Sequence, residues 1–338
     1  MSGTLRLADI ASQAKVSEST VSRVLNNKPV VSDRARQAVL TAIDILGYER
    51  PVALRRHATG LVGLIVPELT NPIFPAFAQV IEAALSRSSY TAVLCAQAAG
   101  GVTEDEYIEL LRDRGTAGIL FVGGLHADSR SDLHRYRTLI EDGLPIVFIN
   151  GTRPEIPVPA VGSDDRQAVD LAVHHLAQLR HRRIGMALGP DRYLVVQTKL
   201  AAFGPAVARH IRPDAEALVE HSQFSVEGGA VAAARLLARG ATAIITGSDI
   251  MALGAIGAAR SAGLRVPEDV SVIGYDDSVI MPFTDPPLTT IRQDVTAIGE
   301  AAVAALLEQI DGHPVTAAEL LFRPQLVVRG STGPAPER

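Results

Sequence analysis

The segment Leu7-Ala8-Asp9-Ile10-Ala11-Ser12-Gln13-Ala14-Lys15-Val16-Ser17-Glu18-Ser19-Thr20-Val21-Ser22-Arg23-Val24-Leu25-Asn26 decides how the amino end of the chain is read. Leu7, Ile10, Ala11 and Ala14 fall on one helical face, and Lys15-Val16-Ser17 interrupts it. Ser17 is a good N-cap for a second helix, with Val16 placed for a hydrophobic staple. That helix, Glu18 to about Leu25, buries Val21, Val24 and Leu25 and turns Glu18, Ser19, Ser22, Arg23 and Asn26 outward. A third helix opens at Ser32, carries Val39, Ile43 and Leu46 along one face and stops at Gly47. Two short helices joined by a tight turn, the second bearing small polar residues and an arginine, suit a reader of the DNA major groove. A three-helix cap without a ligand is the alternative.

Composition is consistent with a basic head on a larger body. With 338 residues, 47% of them hydrophobic, the chain suits two or three domains with sizeable cores. Residues 1–60 hold nine Lys/Arg against five Asp/Glu, a net +4, which leaves −9 for the rest of a chain whose total is −5. Phosphate contacts need cationic surface, so the asymmetry supports a nucleic-acid partner for the head alone. The single cysteine, Cys95, excludes an internal disulfide framework. No amino-terminal apolar segment and no run of about 18 apolar residues suggests export or membrane insertion, so a cytoplasmic location is expected.

From Leu61 onward, strands alternate with helices. Leu61–Val66, Thr91–Cys95, Gly118–Val122 and Pro145–Ile149 are short apolar runs, with amphipathic helices after the first (Phe77, Val80, Ile81, Ala84, Leu85) and around Tyr107–Arg112 and Tyr136–Asp142. Buried strands alternating with helices imply parallel sheets covered on both faces. The rhythm then repeats: Arg183–Leu188 resembles the Val62 strand, Ala243–Thr246 the Gly118 strand, and Val270–Gly274 the Pro145 strand. Two sister lobes imply a cleft between them, outside the carboxyl ends of the strands. A polyhydroxylated ligand there wants charged or amide groups and an aromatic face. Asp164, Ser248, Asp249 and Asp276 follow strands, and Phe74 and Phe224 lie near strand ends. Capping is the competing role for Asp164, Asp249 and Asp276, and core packing for Phe74 and Phe224. A helix near Gly299–Ile310 and a strand near Gln325–Arg329 finish the chain; the Pro- and Gly-rich tail from Gly330 is expected to fray.

The segments Asp9-Ile10-Ala11, Ala14-Lys15-Val16-Ser17, Thr20–Asn26 and Leu46-Gly47-Tyr48 closely resemble the DNA-binding domain of LacI/GalR transcriptional regulators, and the resemblance continues over nearly the whole chain. Tyr48-Glu49-Arg50-Pro51 and Asn71-Pro72-Ile73-Phe74-Pro75 look most like an actinobacterial maltose-type branch. The resemblance implies an N-terminal all-α helix-turn-helix head over residues 1–48, a hinge over 49–60, and an α/β core of two similar parallel-sheet lobes of the periplasmic-binding-protein-like type I over 61–330. Lobe 1 is expected at about 61–160 plus 291–320 and lobe 2 at about 161–290 plus 321–330, with 331–338 as a tail and Pro286–Ile291 as a crossover back to the first lobe.

The same resemblance implies which residues meet which partner. Ser17, Thr20, Ser22 and Asn26 would help hold phosphate, Glu18, Ser19 and Arg23 would face base edges, and Arg6, Ser32 and Tyr48 complete the set at the head. In the hinge, Leu54 followed by Arg55 and Arg56 stands where relatives wedge a leucine into the minor groove. The interval is shorter than in those relatives and lacks their Ala-Arg-x-Leu wording, so a plain basic linker is the alternative. Phe74, Asp164, Tyr193, Lys199, Phe224, Ser248 and Asp276, with Asp249 as ligand contact or cap, stand where relatives touch effector. Lys199 replaces a common arginine, which keeps the charge but loses the bidentate fork and is compatible with a neutral sugar. Lys15, Ser89 and Arg180 replace glycines in turns. The implied protein is a homodimeric regulator, most simply a repressor, of double-stranded operator DNA, controlled by a small sugar such as maltose or a malto-oligosaccharide, with no cofactor or metal.

Two rival readings fit the sequence less well. A sugar-binding receptor without a DNA role leaves residues 1–57 unexplained, since they do not read as a signal peptide. An α/β enzyme lacks a phosphate-loop lysine, a Gly-x-Ser-x-Gly elbow and a His-Glu-x-x-His word. Asp276-Asp277 has no nucleophile beside it, and His174-His175, adjacent in sequence, point to different helix faces and make a poor metal pair.

Overall fold

The computed structural model describes residues 6–25, 31–48, 60–97, 100–213 and 216–337. By its contacts the chain divides into two compact units, residues 1–59 and 60–338. The sequence positions Asn26, Leu54 and Arg55 lie outside the described residues.

In the first unit, helices α1 (Leu7–Ala14), α2 (Glu18–Leu25) and α3 (Asp33–Leu46) bury Ile10, Ala11, Val21, Val24, Val39 and Ala42 against one another. Val16 and Tyr48 pack onto this core from its edge. The local signals act as expected. Ser32 Oγ accepts the Ala35 N–H, and Gly47 closes α3 at φ +63° with Tyr48 N donating to Ile43 O at 3.1 Å. Lys15, between α1 and α2, sits at φ +53°, as do Ser89 at +65° and Arg180 at +67°. All three side chains thus occupy left-handed turns that glycine enters at less cost.

The second unit contains two six-stranded sheets of matching order. The first comprises β1 (Gly60–Val66), β2 (Tyr90–Ala96), β3 (Gly118–Val122), β4 (Ile146–Ile149), β5 (Ala160–Ser163) and β11 (Glu319–Phe322), ordered β11-β5-β4-β3-β1-β2. The second comprises β6 (Ile184–Leu188), β7 (Leu218–His221), β8 (Ala243–Thr246), β9 (Ser271–Asp276), β10 (Thr289–Arg292) and β12 (Gln325–Val327), ordered β12-β10-β9-β8-β6-β7. The chain crosses between sheets after β5, after β10 and after β11. The doubling breaks only at the last strands: β11 is parallel to β5, whereas β12 is antiparallel to β10.

Alternation along each strand fills a core on both faces. On β3, Leu120 and Val122 face α4 (Ile73–Arg87) and α11 (Val295–Ile310), while Ile119 and Phe121 face α5 (Glu104–Asp113) and α6 (His134–Glu141). On β6, Ile184, Met186 and Leu188 face α7 (Asp165–Gln178) and α8 (Leu194–His210), while Ala187 faces α9 (Val226–Ala238) and α10 (Asp249–Ser261). Among the described residues no helix is long and apolar enough to cross a membrane.

One expectation fails. The tail past Gly330 does not fray. Ser331 is fully buried: Val272 N donates to its carbonyl at 2.8 Å, and Thr289 N donates to its hydroxyl at 2.8 Å, which in turn donates to Val272 O at 2.6 Å. Gly333 N donates to Ser271 Oγ at 3.0 Å and Ala335 N to Leu179 O at 2.8 Å. Proline and glycine content signalled looseness, but these backbone groups are paired with the second lobe and so are held.

Candidate functional site

The head presents a polar face opposite its core. Val21 and Val24 turn inward, which leaves Glu18, Ser19 and Arg23 exposed together and Thr20 and Ser22 half-buried at the margin. Ser17 is engaged locally: its hydroxyl accepts the Thr20 N–H at 3.2 Å and meets Ser19 Oγ at 2.8 Å and Thr20 Oγ1 at 2.9 Å. Arg6 and Ser32 are exposed, and Tyr48 is half-buried. Arg6 N donates to Asp9 Oδ2 at 2.7 Å, capping α1.

In the second unit a cleft of about 780 Å³ opens between the two sheets at the carboxyl ends of their parallel strands. Phe74, in the first turn of α4, lines it from the first lobe. Tyr193, Lys199, Phe224, Ser248 and Asp276 line it from the second. Tyr193 and Phe224 have ring centroids 6.2 Å apart, tilted by 54°. Gly189 makes room for this wall, because a Cβ there would stand 2.1 Å from Phe224 Cε2. Asp164 and Asp249 do not line the cleft. Asp164 spends its carboxylate on the N-cap of α7, accepting the Gln167 N–H at 3.0 Å. Asp249 is fully buried and accepts from Ser278 N at 2.7 Å and Thr290 Oγ1 at 2.6 Å. Ser248 both lines the cleft and caps α10.

Several cleft residues were not anticipated: Asn71, Gln97, Asn150, Asp165, Arg192, Tyr275 and Gln293. Gln97, Asn150 and Gln293 directly follow β2, β4 and β10, a strand-end position legible in the sequence, whereas Asn71 and Arg192 lie several residues beyond their strands, Asp165 opens α7 and Tyr275 lies within β9. Three amide and carboxyl groups form a relay across the lobes: Asn150 Nδ2 donates to Gln293 Oε1 at 3.3 Å, and Gln293 Nε2 donates to Asp276 Oδ1 at 2.7 Å. On the first lobe, Gln97 Nε2 donates to the buried Glu104 at 3.3 Å, which leaves its carbonyl oxygen as the available acceptor.

The charges of the cleft are compensated. Lys199 Nζ lies 2.7 Å from Asp165 Oδ1 and 4.0 Å from the Tyr275 ring centroid, and the Tyr275 hydroxyl donates to the same carboxylate. Arg192 Nε lies 2.7 Å from Asp128 Oδ2. Burial, reinforced by the nearby Asp249 charge, holds the Asp276 carboxyl well above the usual carboxylate range, and burial pushes Asp249 up to about 6. Neither cation on the cleft wall is unpaired, so the site offers no bare positive charge to a carboxylate or phosphate. It offers aromatic faces, amides, hydroxyls and a carboxyl disposed to hold its proton.

The rim beside Arg192 is tied from lobe to lobe. Ser129 N and Oγ both donate to Arg192 O, at 2.8 and 2.7 Å, and Asp128 pairs with Tyr193 in a single antiparallel bridge. Arg130 Nη2 adds a contact to Asp191 at 3.0 Å, and Gln197 Nε2 donates to Ser129 Oγ at 3.1 Å.

Comparison with known proteins agrees with both units. Residues 6–50 match the model of bacterial regulatory proteins of the lacI family, and residues 173–332 match a periplasmic binding protein-like domain. The chain is 56% identical over 337 residues to the HTH-type transcriptional regulator MalR of Streptomyces coelicolor, covering 98% of each. It is 33% identical to the HTH-type transcriptional repressor CytR of Escherichia coli, covering 98% of this chain and 97% of that one. Among solved structures, a CelR–cellobiose complex superposes with a TM-score of 0.72 at 29% identity, covering 97% of this chain and 99% of that one. A lac repressor dimer bound to operator and the anti-inducer ONPF superposes at 0.71 and 26% identity, covering 98% and 100%.

Proposed function

Since the chain belongs to the LacI family of DNA-binding transcriptional regulators, whose curated relatives are regulators and not enzymes, we propose that it is a cytoplasmic, homodimeric repressor released or recruited by a neutral sugar. The effector would be maltose or a malto-oligosaccharide, bound in the cleft between the lobes. The observation that carries the ligand class is the compensated cleft: Lys199 is neutralised by Asp165 at 2.7 Å, while Phe74, Tyr193 and Phe224 supply apolar faces for sugar rings. The name of the Streptomyces relative and the cellobiose in the CelR complex support a saccharide.

On operator DNA, Glu18, Ser19 and Arg23 would reach base edges, with Arg23 bidentate to guanine, and Arg6, Ser17, Thr20, Ser22, Asn26, Ser32 and Tyr48 would approach phosphate. Leu54 and Arg55 would serve at the minor groove. Two heads are needed for a near-palindromic site, which is why a dimer is proposed. Sugar occupancy would select one disposition of the lobes and so bias the heads. Calorimetry with glucose, maltose, cellobiose and maltotriose, repeated with the protein's own upstream DNA present, tests both halves. Binding of a neutral disaccharide that changes DNA affinity supports the reading, and reciprocal linkage gives the sign. Tight binding of a sugar phosphate in place of any neutral sugar would overturn it.

A further inference from the structure

The solvent face of α7 and α8 brings together two histidines that are 36 residues apart in sequence. His174 Nδ1 and His210 Nδ1 face each other at 3.4 Å, with ring centroids 4.9 Å apart and the planes at 61°. That separation is long for a hydrogen bond between ring nitrogens. It equals the spacing of two imidazole donors on one tetrahedral ion: with metal–nitrogen bonds of about 2.1 Å, the nitrogens stand about 3.4 Å apart. The far nitrogen of each ring is engaged as well. Asp170 Oδ1 lies 2.9 Å from His210 Nε2, and the Gln178 amide lies 3.0 Å from His174 Nε2.

We propose that His174 and His210 chelate a transition-metal dication of the zinc, nickel or copper type through their Nδ1 atoms. Among the described residues no three His, Cys, Asp or Glu side chains are placed to hold a metal, so this pair supplies two donors and water fills the remaining positions. In the unbound arrangement the contacts order the protons as follows: Gln178 donates to His174 Nε2, His174 Nδ1–H donates to His210 Nδ1, and His210 Nε2–H donates to Asp170. Each ring ligates as a neutral imidazole. The His174 proton moves from Nδ1 to Nε2, and the Gln178 amide turns so that its oxygen accepts that N–H. His210 changes nothing but the occupant of its Nδ1 lone pair. Each ligating ring then donates its other N–H to an oxygen, the outer-shell support that holds metal-bound histidines in place.

Imidazole donors exclude magnesium and calcium, which take oxygen ligands. Arg209, whose Nη1 also lies 2.7 Å from Asp170 Oδ1, places a positive charge nearby that opposes the ion and limits affinity. The same two helices carry Asp165 and Lys199 on the cleft wall. An ion at His174 and His210 would therefore staple together the helices on which the effector-facing pair is mounted.

Isothermal titration of the full-length, untagged protein with zinc chloride, nickel chloride and magnesium chloride tests the site. One zinc or nickel ion per chain is expected, with no magnesium uptake. Binding is lost in His174→Ala and in His210→Ala, and weakened by about 10–100-fold in Asp170→Asn. Zinc at about a hundredfold excess over Kd raises the wild-type Tm by several degrees and leaves that of His174→Ala unmoved. Absence of zinc and nickel uptake, or uptake that survives both histidine substitutions, overturns the assignment.

Discussion

Replacing Lys199 with methionine isolates the electrostatic core of the cleft. The Lys199–Asp165 pair is 2.7 Å long, with side chains only 8% and 10% exposed. Removing the ammonium leaves a buried carboxylate whose remaining donor is the Tyr275 hydroxyl at 2.5 Å. Breaking a buried pair from one side costs about 3–5 kcal/mol, and the retained hydroxyl places this case near the lower bound, about 3 kcal/mol. For large domains each kcal/mol moves Tm by about 2–4 °C, so Lys199→Met lowers the core transition by about 6–12 °C. The double variant Lys199→Met/Asp165→Asn removes both charges and recovers most of that loss, because the cost lies in the orphaned carboxylate and not in the missing contact. Differential scanning calorimetry of the four members of the cycle gives every value required. A single variant as stable as wild type, or a double variant no better than the single, would refute the account of the cleft as a compensated site.

Four further outcomes follow from other parts of the molecule. Arg23→Ala, an exposed change on α2, abolishes sequence-specific footprinting while leaving sugar binding and Tm unchanged, checked on one preparation by DNase protection and calorimetry. Deleting residues 331–338 strips partners from the Val272 and Thr289 N–H groups and costs about 2–6 kcal/mol at about 1–3 per orphaned group, read as a lower urea midpoint. Asp128→Ala breaks the rim tie to Arg192, whose side chain is 40% exposed, and after solvent screening about 1 kcal/mol at most is lost. Effector Kd then weakens by up to about fivefold in stopped-flow binding, through a faster off-rate. Burial pushes Asp249 up to about 6, so the folded chain holds that proton more tightly than the unfolded one. The stability it confers is complete below the ordinary carboxylate value and is lost as pH rises through about 6. Tm of the core therefore falls between about pH 4 and pH 6.5, and Asp249→Asn flattens the fall.

Local rules account for what could be read in advance. The head is written in contiguous words: Ser17 and Ser32 cap, Gly47 stops, and Val21 and Val24 define a face that fixes Arg23 on the opposite one. The doubled sheet is legible because runs such as Leu61–Val66 and Ile184–Leu188 are apolar throughout, as strands covered on both faces must be. β7, at the edge of its sheet and only partly buried from Val219 to His221, carries no such run and gives no comparable signal. The tail misled because composition reports flexibility in the unfolded chain, whereas Ser331 and Gly333 are held by partners some 60 residues away.

The cleft shows most clearly where reading by position stops. Asp164 and Asp165 are neighbours at one strand end, and nothing in their order says which turns inward. The helix decides: the residue before α7 caps it, and the first residue within α7 is carried to Lys199, 34 positions on. The meaning of Lys199 changes with that partner. Alone, a lysine where relatives keep arginine argues for a weakened grip on an anionic ligand. Paired with Asp165 under the Tyr275 ring, it is no grip on an anion at all, but part of a neutral wall. The His174–His210 pair follows the same logic in the same two helices, for the histidine that meets His174 is 36 positions on and not its neighbour His175. The charge that this cleft presents is therefore fixed by the pairing of residues carried on α7 and α8, and a substitution at Lys199 acts first through Asp165.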